Sequence, residues 1–417
     1  MIKNILKNAS WLAVAELLNK GVFFLITIII ARSFGSDLFG QFNYAISFVI
    51  IFSVIADFGI NNLIIREVAR DKESAVLLIG NSMILKIILS ILTVVFIIIS
   101  TIFTNKPAEV NLLVYVLSFY VVFNSYNTFS KSIYRAFEKM KFETLLKLIE
   151  SIILVLYVVF ASIYIKDMTV LIFGFVFASA VTFIISVRWI KKFFSKFSLK
   201  FDKQTLLFLI KEGWPFALSG IFVTAYFNID TVMVSFIKGD LETGWYSAAY
   251  NFLFISMLFP SLANAAIYPV LSKQHKELHL LKQKINMWLL IQFAIGIIMA
   301  IGIYFSAEWL ISIVYGNEYL PGASSLQVLG FVLPFAFLTN FLGVLLSSTN
   351  RQRTALYVTC FNVLINIGIN LWLIPRYGSI GAAYSAFTSM LLSAIILLII
   401  YKLRPTNYET SRSEGIR

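Results

Sequence analysis

The chain has 417 residues, of which 59% are hydrophobic and 13% charged, with a formal net charge of +13 and one cysteine. Soluble domains carry roughly 45–50% apolar and about 25% charged residues, so a water-soluble enzyme or regulatory domain is excluded. A single cysteine rules out an intrachain disulfide, and Cys360 lies inside an apolar run, where a buried free thiol is its ordinary role.

The first predicted element covers residues 9–31. Lys3 and Lys7 ahead of it imitate the basic start of a signal peptide, but the apolar stretch is too long for one and has no small-residue cleavage site, so it is expected to remain as a helix. A hydrocarbon core of roughly 30 Å needs about 20 apolar residues per helix. Further stretches of that length lie at 41–65, 77–103, 110–133, 144–165, 169–190, 213–236, 245–270, 286–305, 323–346, 354–374 and 379–401. The expectation is an all-α polytopic membrane protein of about twelve transmembrane helices.

Several spans carry charge. Glu16 and Lys20 lie four apart on one face of the first helix, with Lys20 about eleven residues in, roughly 16 Å deep and near the midplane. Asp57 falls in helix 2, Lys86 in helix 3 and Asp230 in helix 7, while Glu150 stands beside Lys147 near one end of helix 5. An ionisable group at a helix centre costs roughly 2.5–3.5 kcal/mol on insertion scales, which makes each a candidate for function. For Lys20 an ion pair with Glu16 competes with exposure to a cavity, and Lys86 is shallow enough to snorkel. Asp57 and Asp230 are too short to reach the interface. They serve either a buried polar network or protonation and cation coupling. Pro215, Pro260, Pro269 and Pro334 lie in the second half, where a missing N–H bends helices.

The loops alternate in character. Of 34 Lys and Arg, 27 fall in the tails and the loops of one side, with five between Lys131 and Lys147 and seven between Arg188 and Lys211. Arg32, Lys106, Lys166, Lys238 and Arg376 belong to the other side, and Lys20 and Lys86 lie within helices. Short basic loops resist translocation, so both termini are expected in the cytoplasm. Orientation and attraction to anionic headgroups account for the basic loops without nucleic acid. The loops opposite are short, the longest at about 306–322, with no room for an external catalytic domain. His275 and His279 lie four apart, but Lys276 stands where a zinc protease needs Glu, so the segment reads as solvated. No Walker A or dinucleotide fingerprint occurs, and no cofactor is expected.

Residues 35–48 (GSDLFGQFNYAISF) align with 239–252 (GDLETGWYSAAYNF) at a constant offset of 204, after helix 1 and after helix 7. Two six-helix lobes follow, related by a pseudo-two-fold axis along the membrane normal, with a substrate site between them. The expected boundaries are 1–195 for the N-terminal lobe, 196–212 for a basic cytoplasmic linker, 213–404 for the C-terminal lobe and 405–417 for a cytoplasmic tail.

Four segments carry a resemblance: Ile30-Ala31-Arg32-Ser33-Phe34-Gly35 running into Phe39-Gly40-Gln41-Phe42, then Ala56-Asp57-Phe58-Gly59, Asn228-Ile229-Asp230-Thr231 and Val314-Tyr315-Gly316-Asn317-Glu318-Tyr319. With these the chain resembles the polysaccharide-export flippases of the multidrug/oligosaccharidyl-lipid/polysaccharide superfamily, which have a MATE-like fold. The resemblance implies a prokaryotic plasma-membrane flippase that moves an isoprenoid-diphosphate-linked oligosaccharide from the cytoplasmic to the outer leaflet by rocking of the lobes. Its partners are then that lipid-linked substrate and membrane lipids, with a polysaccharide polymerase and glycosyltransferases as candidates. A proton or sodium gradient and the membrane potential stand as alternative energy sources. A diphosphate calls for cations in a low-dielectric cavity, and Lys20, Lys86 and Arg66 are the candidates, with Glu16, Asp57 and Asp230 as the coupling or polar-network set. The competing readings are a cation-coupled multidrug antiporter of the same fold, against which a midplane Lys20 would repel cationic cargo, and a membrane glycosyltransferase or polymerase.

Overall fold

The computed structural model describes residues 2–193, 201–273, 282–349 and 351–403. His275, His279, residues 196–200 of the expected linker and the 405–417 tail lie outside the described residues. Every regular element is helical among the described residues: α1 (Ile2–Asp57), α2 (Ile60–Arg70), α3 (Ala75–Ile102), α4 (Ala108–Ala136), α5 (Met140–Phe160), α6 (Met168–Phe193), α7 (Lys203–Lys238), α8 (Asp240–Ser256), α9 (Leu258–Lys273), α10 (Lys282–Val314), α11 (Ala323–Gly330), α12 (Val332–Ser348) and α13 (Gln352–Leu403).

Eight of these stretches are long and apolar enough to cross a bilayer, and the pair meeting at Phe331, bent by 47°, makes a ninth. Two of the eight are double. At 56 and 52 residues, α1 and α13 would each be about 80 Å long if straight, far beyond any bilayer. Each turns at a glycine with positive φ, Gly35 (φ 79°) and Gly378 (φ 61°). Across Gly378 the Ser385 hydroxyl donates to the Asn366 carbonyl at 2.9 Å, a contact between residues 19 apart that a hairpin permits and a straight helix does not. Counting α1 and α13 as two crossings each, and α8 with α9 as one, raises the nine to the expected twelve.

The ends differ from expectation in two places. α10 runs on to Val314 and α7 starts at Lys203, so residues 306–314 are helix rather than loop and residues 203–212 of the expected linker are the first turns of α7. Hydropathy reports the depth of the hydrocarbon, whereas backbone hydrogen bonding carries a helix past it. Asp202 caps α7 by accepting from the Thr205 amide at 2.9 Å, and bonds from Thr205 hold its carboxyl below the usual range. Pro260 and Pro334 stand third in α9 and α12, just after the joints at Met257 and Phe331, where an absent N–H costs no helical bond.

Helices α1–α6 pack together, as do α7–α13, and α1 meets α7 and α8 along the seam. The offset of 204 reappears there as geometry. Gly35 and Gly239 share an unusual backbone, φ 79° and 91° with ψ 175° and −179°. A Cβ on Gly40 would fall 1.7 Å from the Asp240 carbonyl oxygen, and one on Gly244 would fall 2.1 Å from that of Ser36. Residues 36 and 240 are themselves 204 apart. The two close approaches are therefore one contact repeated about a two-fold axis, and glycine is required in both copies because the obstacle is backbone.

Candidate functional site

The end of the bundle opposite the basic loops is held shut by contacts between lobes. Arg32 donates through Nε to the Val314 carbonyl at 2.8 Å and also to that of Ile313, so its cation meets the carbonyl end of α10. Tyr319 donates to the Ala31 carbonyl at 3.0 Å. Glu318 accepts from the amide and hydroxyl of Ser36, at 2.7 and 2.5 Å, where the second limb of α1 begins. From the first lobe, Lys106 reaches Asp240 Oδ1 at 2.7 Å and the Ser235 hydroxyl at 2.6 Å. Each lobe thus sends a charged side chain, Lys106 or Glu318, to the start of the second span of the other.

Toward the basic end the interior opens. A cavity of about 500 Å³ lies within the first lobe, walled by α1, α2, α4, α5 and α6. A second, of about 420 Å³, lies on the seam against α7, and the two share Asp57, Asn61, Asn62, Asn124 and Thr128. Asn19 and Asp57 both line the first cavity, although 38 residues of straight helix would separate them by about 57 Å, which again requires the turn at Gly35.

The strongest charges on this wall come from the facing ends of α4 and α5. Lys131 Nζ lies 3.2 Å from Glu150 Oε2. Arg135 binds Glu143 through two bonds of 2.7 and 2.6 Å, the bidentate geometry of a strong guanidinium–carboxylate pair. Lys147 stands 3.4 Å from the same carboxylate. Three cations therefore share two carboxylates and leave the cluster net positive. Glu16 is near enough to interact electrostatically with both Arg135 and Lys147, which brings the first-helix pair to the edge of the cluster.

The residues singled out from sequence separate into three places. Lys20 lies 3.6 Å from Glu16 and 5.1 Å over the Phe254 ring of α8, so it spans the seam. Arg66 also spans it, bonding Glu67 at 2.6 Å and Glu212 of α7 at 2.9 Å while facing the Phe216 ring. Lys86 and Asp57 form one unit inside the first lobe. The ammonium is fully buried, 3.4 Å from Asp57 Oδ1 and 3.1 Å from the Ala56 carbonyl, whereas Asp57 is 29% exposed on the cavity wall. Lys86 therefore meets the cavity only through Asp57. Asp230 stands apart in the second lobe, buried, accepting from Tyr246 at 3.0 Å and Asn370 at 2.6 Å. A small space of about 30 Å³ adjoins it, room enough for water.

Sequence reasoning did not place Lys131, Arg135, Glu143 and Lys147 in the site, because as a basic loop they had a sufficient explanation in orientation. The available signal was pairing: Glu143 lies four before Lys147 and faces Arg135 across a short turn, compensation that a freely solvated loop does not need.

Twelve crossings in two related lobes, bridged by contacts at one end and enclosing a cavity of charged lining toward the other, define a membrane transporter. The family described as "Polysaccharide biosynthesis protein" matches residues 5–275, and the chain belongs to it; residues 215–372 also match the MatE family. The chain is similar to the capsular polysaccharide biosynthesis protein CapF of Staphylococcus aureus, 24% identical over 408 residues, 95% of this chain and 99% of that one. It is also 24% identical over 243 residues to a putative O-antigen transporter of Shigella flexneri, covering 57% of this chain and 56% of that protein. Its fold is similar to that of the lipid II flippase MurJ in an inward closed conformation, with a TM-score of 0.80 at 17% identity over 94% of this chain and 87% of the other. The all-helical, MATE-like, two-lobed fold read from the sequence is thereby established, and the chain is a multi-pass transporter of the multidrug/oligosaccharidyl-lipid/polysaccharide superfamily.

Proposed function

We propose that this transporter is a flippase carrying an isoprenoid-diphosphate-linked oligosaccharide from the cytoplasmic to the outer leaflet of a prokaryotic plasma membrane, for surface polysaccharide synthesis. The observation that supports this most is the cavity of about 500 Å³ whose wall combines a cation cluster with the amides of Asn19, Asn61, Asn62 and Asn124. Cations suit a diphosphate and amides suit sugar hydroxyls, while the lipid tail remains in the bilayer and only the headgroup crosses. The relatives named for capsule and O-antigen point to the same cargo class.

On this reading the basic end and both termini face the cytoplasm, and the lobes correspond to 1–195 and to a second unit that begins with α7 at Lys203, ten residues ahead of the expected 213. Lys20 and Arg66 receive the diphosphate along the seam, and the Lys86–Asp57 unit acts through its exposed carboxylate. The lobes rock, the contacts of Lys106 and Glu318 part, and no covalent chemistry is involved. Asp230, which accepts only from neutral donors, is the candidate for proton or sodium coupling; this one observation also favours the antiporter reading.

The test is a headgroup-accessibility assay in reconstituted vesicles with a lipid-linked oligosaccharide. Wild type moves the headgroup across, and Lys20→Ala slows it. Transport of organic cations with no movement of the glycolipid would replace this reading with the antiporter.

A further inference from the structure

Resting on the flippase reading, we infer that Lys131, Arg135 and Lys147 form a docking subsite for a diphosphate group, and that Glu143 and Glu150 are counter-ions holding those cations until the diphosphate arrives. Three features of the cluster lead there, and none depends on the seam cations Lys20 and Arg66.

The first is charge. Two lysines and an arginine on a cavity wall share two carboxylates, with Glu143 divided between Arg135 and Lys147. A net positive cluster in a space of low dielectric is costly to leave incompletely balanced, and a dianionic group supplies the balance. The second is access. Arg135 keeps 42% of its side chain exposed while binding the fully buried Glu143, so its remaining donors face the cavity. The third is depth. Arg135 lies in the last turn of α4 and Glu143 in the first turn of α5, with Lys147 a turn further in and the Lys131–Glu150 pair deeper still, Glu150 being the eleventh residue of α5. A lipid whose tail stays in the bilayer brings its phosphates first to the level of the helix ends, where Arg135 and Glu143 lie, and the cluster leads inward from there to Lys131.

The counter-ion role follows from the geometry of the two carboxylates. Glu150 holds Lys131 by a single contact of 3.2 Å and is 17% exposed, so it can turn away as the ammonium moves to phosphate. Glu143 is fixed by bidentate contact and burial, and keeps Arg135 extended in place. One carboxylate is released and the other orients.

The experiment measures binding to the purified full chain in detergent, by thermophoresis, with farnesyl diphosphate, farnesyl monophosphate and inorganic pyrophosphate as probes. Wild type is expected to bind the diphosphates more tightly than the monophosphate. Lys131→Gln and Arg135→Gln should each weaken diphosphate binding about tenfold, the loss of one charge-assisted hydrogen bond. Glu150→Gln should tighten it severalfold by freeing Lys131, an outcome that loss of a merely structural ion pair does not produce. Lys191→Gln, an exposed basic residue at the same end, should bind as wild type does. Thermal unfolding of each variant identifies any that misfold, and Arg135→Lys, retaining charge without the fork, should fall between wild type and Arg135→Gln. The inference is overturned if Lys131→Gln and Arg135→Gln bind normally, if Glu150→Gln weakens binding, or if wild type binds neither diphosphate probe. Diphosphate binding with this variant pattern in a protein that moves no lipid-linked oligosaccharide in the vesicle assay would keep the subsite and remove the flippase reading, so the two failures are distinguishable.

Discussion

The two lobes share a fold and a packing contact but differ in what they bury. The first lobe encloses about 500 Å³ against a wall of ion pairs, while the cavity of the second is about 200 Å³ and borders Tyr226, Phe227, Thr339, Asn340, Asn362 and Met390. Where the first lobe buries ion pairs, the second buries amides around a single carboxylate, Asp230, among the described residues: Asn264 donates to Asn340 at 2.7 Å with Gln292 beside it, and Asn370 links Asp230 to Asn366. Amide networks tie helices together without demanding a counter-charge, whereas unequal ion pairs facing a cavity are ready to exchange partners. The difference teaches that duplication supplied the hinge and seam twice, while the charged space was elaborated in one copy.

That contrast can be broken first at the buried pair of the first lobe. Asp57→Ala strands an ammonium with no exposure and should cost about 3–5 kcal/mol, the penalty for an uncompensated buried charge. Lys86→Met leaves only a carboxylate that is 29% exposed beside the cavity, so it should cost clearly less in thermal unfolding. Equal losses would mean that the cavity wall does not hydrate Asp57.

The symmetric contact comes next. Gly40→Ala and Gly244→Ala each place a methyl against backbone and should cost at least the roughly 1–3 kcal/mol of overpacked sites. Their effects should be similar, and both should raise labelling of the sealed end by an impermeant thiol reagent at Ser36→Cys in a Cys360→Ser background. In the second lobe, Asp230→Ala leaves the Tyr246 and Asn370 donors unpaired and should cost about 1–3 kcal/mol, with Asp230→Asn milder because the bonds can be partly remade. Smallest of all, Arg66→Ala removes a pair that is 34% and 41% exposed at the basic end and should change stability by no more than about 1 kcal/mol.

Much of this organisation was legible in residue order because the bilayer imposes it. A span must be apolar for a fixed length, so all twelve crossings could be marked, and the offset of 204 showed the two lobes to be related, though not that Gly40 and Gly244 would each meet backbone of the other lobe. Three of the four segments carrying the family resemblance proved to be joints and seals: Gly35 makes a turn, Phe58 and Gly59 take positive φ where α1 breaks before α2, and Glu318 and Tyr319 join the lobes, while the fourth, around Asp230, lies inside α7. What could not be read was the side of a helix end that faces inward. Lys131, Arg135 and Lys147 fit an orienting loop equally well until α4 and α5 were seen to bring them against Glu143 and Glu150. Nor does spacing reveal that Lys86 and Asp57, 29 residues apart, belong to one pair, since that depends on how α3 packs against the second limb of α1.

The central claim is that charged cargo leaves only when the two lobes part at the sealed end. It is tested most directly by linking Lys106→Cys to Asp240→Cys with a bifunctional thiol reagent, in a Cys360→Ser background, and following headgroup release in reconstituted vesicles. The linked protein should release none and recover when a cleavable link is reduced. Release at the uncrosslinked rate from fully linked protein would contradict the account.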